Sequence, residues 1–126
     1  MQDNIKFQAI IEWLSEKKAE NIRTYEVQGK TEYTDLILVC EGTADVHNKA
    51  IANYLIEKAK ENHLGVISKE GVDNGQWILI DIGDVVVHIF LPQTRDYYKI
   101  DDLFEKVKTR NPQERSEEGR VGKESR

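Results

Sequence analysis

The clearest hydrophobic pattern lies in residues 76–90, where two arms rich in Ile, Leu and Val flank a Gly83–Asp84 step. β-Branched arms around such a pair are typical of a β-hairpin with a two-residue turn. Since side chains alternate along a strand, one face collects aliphatic residues: Ile78, Ile80, Ile82, Val85, Val87 and Ile89. The other face collects a mixed set: Trp77, Leu79, Asp81, Val86, His88 and Phe90. The first face is predicted to be core, and the second is where a functional site is expected.

Apolar residues recur at helical spacing in two further segments, which predicts amphipathic helices over residues 4–18 and 46–62. Thr43 or Asp45 is expected to cap the start of the second helix, and Gly65 is expected to mark its exit. A last, short helix is predicted over residues 101–108.

Strands are predicted over residues 23–27, 33–40 and 66–69, in addition to the hairpin. Within the second of them, the apolar run from residue 36 to 39 predicts a central strand covered on both faces. The resulting order, α-β-β-α-β-β-β-α, predicts an α/β fold: a single compact domain with a mixed sheet of about five strands and flanking helices.

The chain has 126 residues, which is enough for one domain with its own hydrophobic core. This domain is predicted to occupy residues 1–108. Residues 109–126 are rich in Arg, Glu, Ser and Gly and almost lack apolar side chains, so they are predicted to form a flexible polar tail.

The formal net charge of -5 argues against a general polyanion binder, because nucleic-acid binding depends mainly on Lys and Arg. It remains compatible with docking on a basic protein. The single cysteine, Cys40, excludes an intramolecular disulfide and is expected to be a small buried hydrophobe. With neither an apolar run of ~20 residues nor a signal-peptide pattern, the expected location is cytoplasmic.

Two acidic residues near the hairpin turn, Asp81 and Asp84, are candidates for a metal-binding or catalytic pair. Their spacing across a turn does not require them to converge, and Asp84 has an ordinary role as a turn residue. Asp81 is also a diagonal neighbour of His88, so the two could form a charge-assisted hydrogen bond that sets strand register or contacts a partner.

The Gly42–Thr43 step before the second helix superficially resembles a phosphate-binding turn or the opening of a nucleotidyltransferase site. It lacks the lysine and glycines of a P-loop, and the later strand lacks the acidic pair of a nucleotidyltransferase, so helix capping is the better interpretation. His47 and His63 are isolated, so no metal site and no cofactor are predicted.

Arginine and aromatic side chains recur near the hairpin and after it, at Trp77, Phe90, Arg95, Tyr97 and Tyr98. Such residues are typical of interaction hot spots, because they bury large areas at low entropic cost. The alternative is that they seal the C-terminal helix onto the sheet.

Taken together, these stretches resemble the ribosomal silencing factor family (RsfS/Iojap) over about residues 3–106. The resemblance rests on Val27-Gln28-Gly29-Lys30, Thr34-Asp35, the run from Gly42 to Ala52, Glu70-Gly71, the run from Trp77 to Phe90, and Arg95 to Ile100 followed by Leu103-Phe104. The Trp-to-Phe hairpin with its Asp-Ile-Gly-Asp-Val-Val-Val-His centre is its most specific part. Phe104 stands where the family often has Trp.

The resemblance implies a fold related to nucleotidyltransferases but without their catalytic acids, and a protein that is not an enzyme. It implies binding to the large ribosomal subunit through ribosomal protein fourteen, with ribosomal RNA contact at most secondary. Occupying that surface would sterically block joining of the small subunit and repress translation under nutrient limitation, as in stationary phase. By analogy, the partner-binding residues are expected to be Trp77, Leu79, Asp81, His88, Phe90, Arg95 and Tyr98.

Two alternatives remain open from the sequence. One is a metal-dependent nucleotidyltransferase-like enzyme that uses Asp81 or Asp84. The other is a homodimer that uses the mixed hairpin face as its own interface.

Overall fold

The computed structural model of the protein describes residues 2–26 and 36–109. Within these residues lie four helices and five strands, in the order α1 (Gln2–Glu16), β1 (Glu20–Glu26), β2 (Leu36–Glu41), α2 (Asp45–Glu61), β3 (Ser68–Glu70), β4 (Trp77–Asp81), β5 (Val85–Phe90), α3 (Pro92–Tyr97) and α4 (Ile100–Thr109). The connection between the first two predicted strands, the start of the second of these strands and nearly all of the predicted polar tail lie outside the described residues.

The five strands form one mixed sheet in the order β1-β2-β5-β4-β3, which confirms the predicted fold class. β2 and β5 run parallel, and the other three neighbouring pairs are antiparallel. β2 lies between two strands, and its residues 37–40 are buried, as its uninterrupted apolar run predicts.

The hairpin of β4 and β5 has the predicted register, in which Ile78 pairs with Ile89 and Ile80 with Val87. The amide of Ile82 donates a hydrogen bond of 2.9 Å to the carbonyl of Val85, which closes a two-residue turn. Gly83 adopts φ +89°. A glycine at positive φ in the first turn position matches the right-handed twist of the two strands.

The aliphatic face of the sheet is covered by α1 and α2 and contains the larger core. Ile10 and Leu14 from α1 and Ile51 and Leu55 from α2 are fully buried against it. Cys40 lies in the same core, as predicted, and its burial raises the pKa of the thiol to about 12. None of the helices in the described part of the chain is long and apolar enough to cross a membrane.

The second face of the sheet is only partly covered. α4 lies over β1 and β2 and closes a smaller core made of Tyr25, Ile37, Val39, Phe90, Ile100 and Phe104. Towards β4 and β3 the cover ends: Trp77 is 37% exposed, Leu79 and Asp81 are half-buried, and Ser68 and Glu70 are exposed. The mixed hairpin face therefore has a buried end and an open end.

The structure differs from the prediction at three places near the ends of elements. The N-cap of α2 is Ala44, which makes no side-chain cap hydrogen bond, and Thr43 does not cap the helix, since its own amide donates to Nδ1 of His47 at 2.9 Å. The expected capping by Asp45 is present in part, because its Oδ1 accepts from the amide of Val46 at 2.8 Å. The left-handed residue after α2 is His63, with φ 61°, and not Gly65. Helix α3 was not predicted, because six residues starting at a proline are too few to show a helical period.

Candidate functional site

An aromatic cluster extends from the smaller core to the open end of the second face. It consists of Trp77 from β4, His88 and Phe90 from β5, Tyr98 at the end of α3 and Phe104 from α4. The Trp77 ring lies 4.8 Å from Phe90 and 5.7 Å from Tyr98, measured between centroids. Tyr97 meets Tyr98 edge to face at 4.9 Å and is 77% exposed, so the cluster continues onto the surface through α3.

His88 lies at the base of this cluster, where only 6% of the residue is exposed. The indole Nε1 of Trp77 donates a hydrogen bond of 3.0 Å to Nδ1 of His88. The imidazole also packs at 5.1 Å from the ring of Phe104. Burial lowers the pKa of His88 to about 4, so the imidazole is neutral near pH 7 and can accept this bond.

The predicted hydrogen bond between Asp81 and His88 is therefore wrong. Oδ1 of Asp81 instead accepts from the amide of Gly83 at 2.9 Å, which supports the hairpin turn. The acceptor on His88 is used by Trp77, because an indole N–H needs a partner when it is turned toward the protein.

The two carboxylates of the hairpin do not form a joint site. Asp84 makes an ion pair of 2.7 Å with Lys6 of α1, and the same ammonium group donates to the carbonyl of Ile82 at 2.9 Å. Asp81 is engaged by the hairpin turn, where its Oδ1 accepts a hydrogen bond from the amide of Gly83. Among the described residues, no group of three or more His, Cys, Asp or Glu side chains is arranged to hold a metal ion.

Arg95 is 5% exposed and connects four parts of the second face. Its guanidinium makes a two-point contact with Asp101 of α4, at 2.8 and 3.0 Å. It also donates to the carbonyl of Asn21 in β1 at 2.8 Å and to Glu41 of β2 at 3.0 Å. The hydrogen bond from Arg95 holds the pKa of Asp101 below its usual range. Arg95 thus fastens α3 and α4 to the edge of the sheet.

The glycine before α2 has a structural role. The Nδ2 atom of buried Asn48 donates to the carbonyl of Gly75 at 2.7 Å. A Cβ on Gly42 would lie 2.1 Å from Oδ1 of Asn48, so only glycine allows this approach. His47 bridges the same region to α1, with Nε2 2.8 Å from the carbonyl of Lys17. Asn48 and His47 therefore join loops to helices, in keeping with the structural interpretation of the Gly42–Thr43 step.

The structure divides the seven predicted site residues into two groups. Trp77, Leu79, Asp81 and Tyr98 reach the surface, whereas His88, Phe90 and Arg95 are buried beneath or beside them. Sequence reasoning did not identify Glu41 and Asp101 as the partners of Arg95, because they are 54 and 6 residues away from it along the chain.

The surface near the cluster carries charged side chains of both signs, and its exposed lysines include Lys69 on β3 and Lys99, which directly follows Tyr98. Exposed Asp96 directly precedes Tyr97, exposed Asp102 lies on α4, and exposed Glu70 pairs with Leu79 across β3 and β4. The chain as a whole carries a formal charge of -5. This negative net charge suits a basic protein better than a phosphate backbone.

Comparison with known proteins defines the class. Residues 2–126 match the family described as ribosomal silencing factor during starvation, and the match runs beyond residue 108, where the sequence analysis placed the end of the domain. The chain belongs to the ribosomal silencing factor family. The family's described role is regulatory.

Individual relatives have the same or related names. The ribosomal silencing factor RsfS of Bacillus subtilis is 38% identical over 89 residues, which are 71% of this chain and 75% of the relative. That of Chromobacterium violaceum is 37% identical over 94 residues, which are 75% and 77% of the two chains. A mouse protein named mitochondrial assembly of ribosomal large subunit protein 1 is 31% identical over 100 residues, which are 75% of this chain and 43% of the mouse protein.

Solved structures agree with the fold. A crystal structure of a Chromobacterium violaceum protein superposes with a TM-score of 0.79 at 34% identity, covering 83% of this chain and 88% of that one. A crystal structure from Bacillus halodurans gives 0.73 at 33% identity, covering 79% and 93%.

Proposed function

We propose that this domain binds the large ribosomal subunit through ribosomal protein fourteen and prevents the small subunit from joining, so that translation falls when nutrients are scarce. The family assignment supports a silencing role. The name of the mouse relative, which refers to the large ribosomal subunit, supports the choice of subunit.

The observation that carries the proposed contact is the exposure of a large aromatic side chain that is held rigidly from below. Trp77 keeps 37% of its surface accessible while it packs on Phe90 and Tyr98. A rigid, partly exposed tryptophan loses little conformational entropy on binding, which is why tryptophan is enriched at hot spots. We assign the direct contact to Trp77, Leu79, Asp81 and Tyr98, and a supporting role to His88, Phe90 and Arg95.

The mechanism is steric and requires no reaction. A bound chain of 14.6 kDa would occupy space on the large subunit where the small subunit would dock. The net charge of -5 favours approach to a basic ribosomal protein and disfavours ribosomal RNA. The enzymatic alternative has little support, since Asp84 is engaged by Lys6 and Asp81 by the turn.

Replacing Trp77 tests the contact. Trp77→Ala should weaken binding to isolated ribosomal protein fourteen by about thirtyfold or more, the range of a hot-spot residue. The variant should stay folded, because the indole is 37% exposed and lies outside both buried cores. Binding is measured by titration calorimetry, and folding by circular dichroism.

Ile5→Ala is the matched control, because Ile5 is 70% exposed and lies on α1, which packs against the opposite face of the sheet. It should bind as the original domain does. Equal weakening by both variants, or none by Trp77→Ala, would contradict the assigned surface. If the domain instead self-associates through this face, Trp77→Ala will lower its mass in sedimentation equilibrium.

A further inference from the structure

The mixed hairpin face contains one polar contact that joins a buried residue to the exposed tryptophan. Nδ1 of His88 accepts a hydrogen bond from the indole N–H of Trp77 at 3.0 Å. Among the side-chain contacts described for His88, this is the only one with an exposed residue. Trp77 also packs on Phe90 and Tyr98, although more than a third of its area is open. Ring contacts are less directional than a hydrogen bond, so the direction in which the indole projects also depends on what holds its nitrogen.

We propose that His88 is a positioning residue, which fixes the orientation of Trp77 and thereby prepares it for partner binding. This inference rests on the proposed function only in its last step. The first step, that His88 fixes the indole, concerns the free domain alone.

The packing around His88 explains how it holds a fixed position itself. Its ring lies nearly parallel to Phe90, with 9° between the planes and 6.0 Å between the centroids, and it contacts Phe104 from α4 at 5.1 Å. On the sheet it lies between Val39 of β2 and Leu79 of β4. Residues from three strands and one helix surround the imidazole, so the position of Nδ1 is fixed.

The hydrogen bond also defines the chemical form of the imidazole. An indole nitrogen can only donate, so Nδ1 must be unprotonated and the ring proton must sit on Nε2. A protonated imidazole would present a second donor to the indole and release it. Burial among apolar rings favours the neutral form that the contact requires.

Two substitutions separate this role from simple packing. His88→Phe keeps an aromatic ring against Phe90 and Phe104 but removes the acceptor. His88→Asn removes the ring but places an amide oxygen close to the position of Nδ1. If His88 only fills space, the asparagine variant should be the more damaged in every measurement. If His88 positions Trp77, the phenylalanine variant should be the more damaged in the measurements that report on Trp77.

The first measurement is the indole N–H resonance of Trp77 in a nitrogen-15 correlation spectrum, with its rate of hydrogen exchange. We expect His88→Phe to shift this signal and speed its exchange, and His88→Asn to retain both near their original values. Trp13, which is buried in the opposite core, supplies an internal reference and is assigned with Trp13→Phe. An unchanged Trp77 signal in His88→Phe would overturn the proposal.

The second measurement is affinity for ribosomal protein fourteen. His88→Phe should weaken binding about two- to tenfold, the range of one hydrogen bond, and His88→Asn should weaken it less. In a Trp77→Phe background, the His88→Phe change should have no further effect, because that ring has no N–H to hold. Additive losses, or equal losses in the two His88 variants, would overturn the positioning role.

Failure of this inference is distinguishable from failure of the proposed function. If Trp77→Ala does not affect binding, the proposed contact fails, and the indole signal still decides whether His88 holds Trp77. If His88→Phe does not fold, the asparagine variant decides alone: a retained indole signal with retained binding supports the proposal, and loss of both overturns it.

Discussion

Arg95 shows how a residue suited to a binding surface can serve the interior instead. From the sequence, an arginine next to two tyrosines is a reasonable interface residue. In the structure its guanidinium is satisfied by Asp101, Glu41 and the carbonyl of Asn21. A buried arginine with a two-point carboxylate contact is a geometry that lysine cannot reproduce.

Replacing Arg95 by Met should therefore destabilise the domain strongly. The change leaves Glu41 and Asp101 without their cation in a partly buried place, which typically costs about 3–5 kcal/mol of unfolding free energy. Urea denaturation followed by circular dichroism measures this. Arg23→Met is the control: Arg23 is exposed and lies over the ring of Tyr25, and its loss should cost within about 1 kcal/mol. Similar losses in the two variants would contradict the role given to Arg95.

His88 should make stability depend on pH in a defined window. Its pKa is lowered from 6.5 to about 4 by burial, so the unfolded chain binds a proton before the folded domain does. The stabilising contribution is complete above about pH 6.5 and is lost as pH falls toward 4, a loss on the order of 3 kcal/mol. Asp101, whose pKa is lowered from 3.8, adds a further loss only below that value.

Chemical denaturation at pH 7, 5.5 and 4.5 measures this dependence. In His88→Phe the decline between pH 6.5 and 4 should become shallower, because the titrating group is gone. An equally steep decline in that variant would show that other groups cause it.

At the scale of elements, the hairpin was the part most accessible to prediction. Two β-branched arms of matching length around Gly83–Asp84 allow one register that buries all six residues of the aliphatic face, and the structure has that register. Helix α2 was accessible for the same reason, since its apolar residues repeat at helical spacing. In both cases the local pattern and the core require the same arrangement.

The elements that were missed depend on contacts distant in sequence. Helix α3 is too short to have a period of its own, and it is held in place by Arg95 reaching β1, β2 and α4. The division of the site into exposed Trp77 and buried His88 depends on where α4 ends over the sheet. A strand pattern specifies the face of each side chain, but not how far another element covers that face.

The hairpin turn provides a prediction at this scale. Gly83→Ala should destabilise the domain by about 1–2 kcal/mol, because a Cβ at φ +89° is strained even though the surrounding space is open. Gly65→Ala is the control: it also has open space around it, without a positive φ, and should change stability by about 0.5 kcal/mol or less. Thermal or urea denaturation compares the two. Equal effects would contradict the turn geometry.

At the scale of the molecule, the two faces of one sheet have different tasks. The aliphatic face, under α1 and α2, contains most of the buried apolar surface. The second face is covered by α4 at one end and leaves Trp77 and Tyr98 accessible at the other. Under the proposed function, this separation would allow Trp77 and Tyr98 to contact a partner without weakening the main core.

Family membership adds what physical reasoning alone does not provide. An aromatic cluster beside acidic residues predicts a protein partner, and the charge of -5 favours a basic one. Neither feature identifies the ribosome. The match over residues 2–126 supplies the class, and the geometry then indicates which residues of this chain would make the contact.

The central claim is that this domain keeps the ribosomal subunits apart. Purified large and small subunits are mixed with and without the protein and resolved on a density gradient, with Trp77→Ala and Ile5→Ala in parallel. The account predicts that the original domain and Ile5→Ala travel with the large subunit and reduce the joined peak, whereas Trp77→Ala does neither. A joined peak that is unchanged by the original domain, with no protein beside the large subunit, would contradict it.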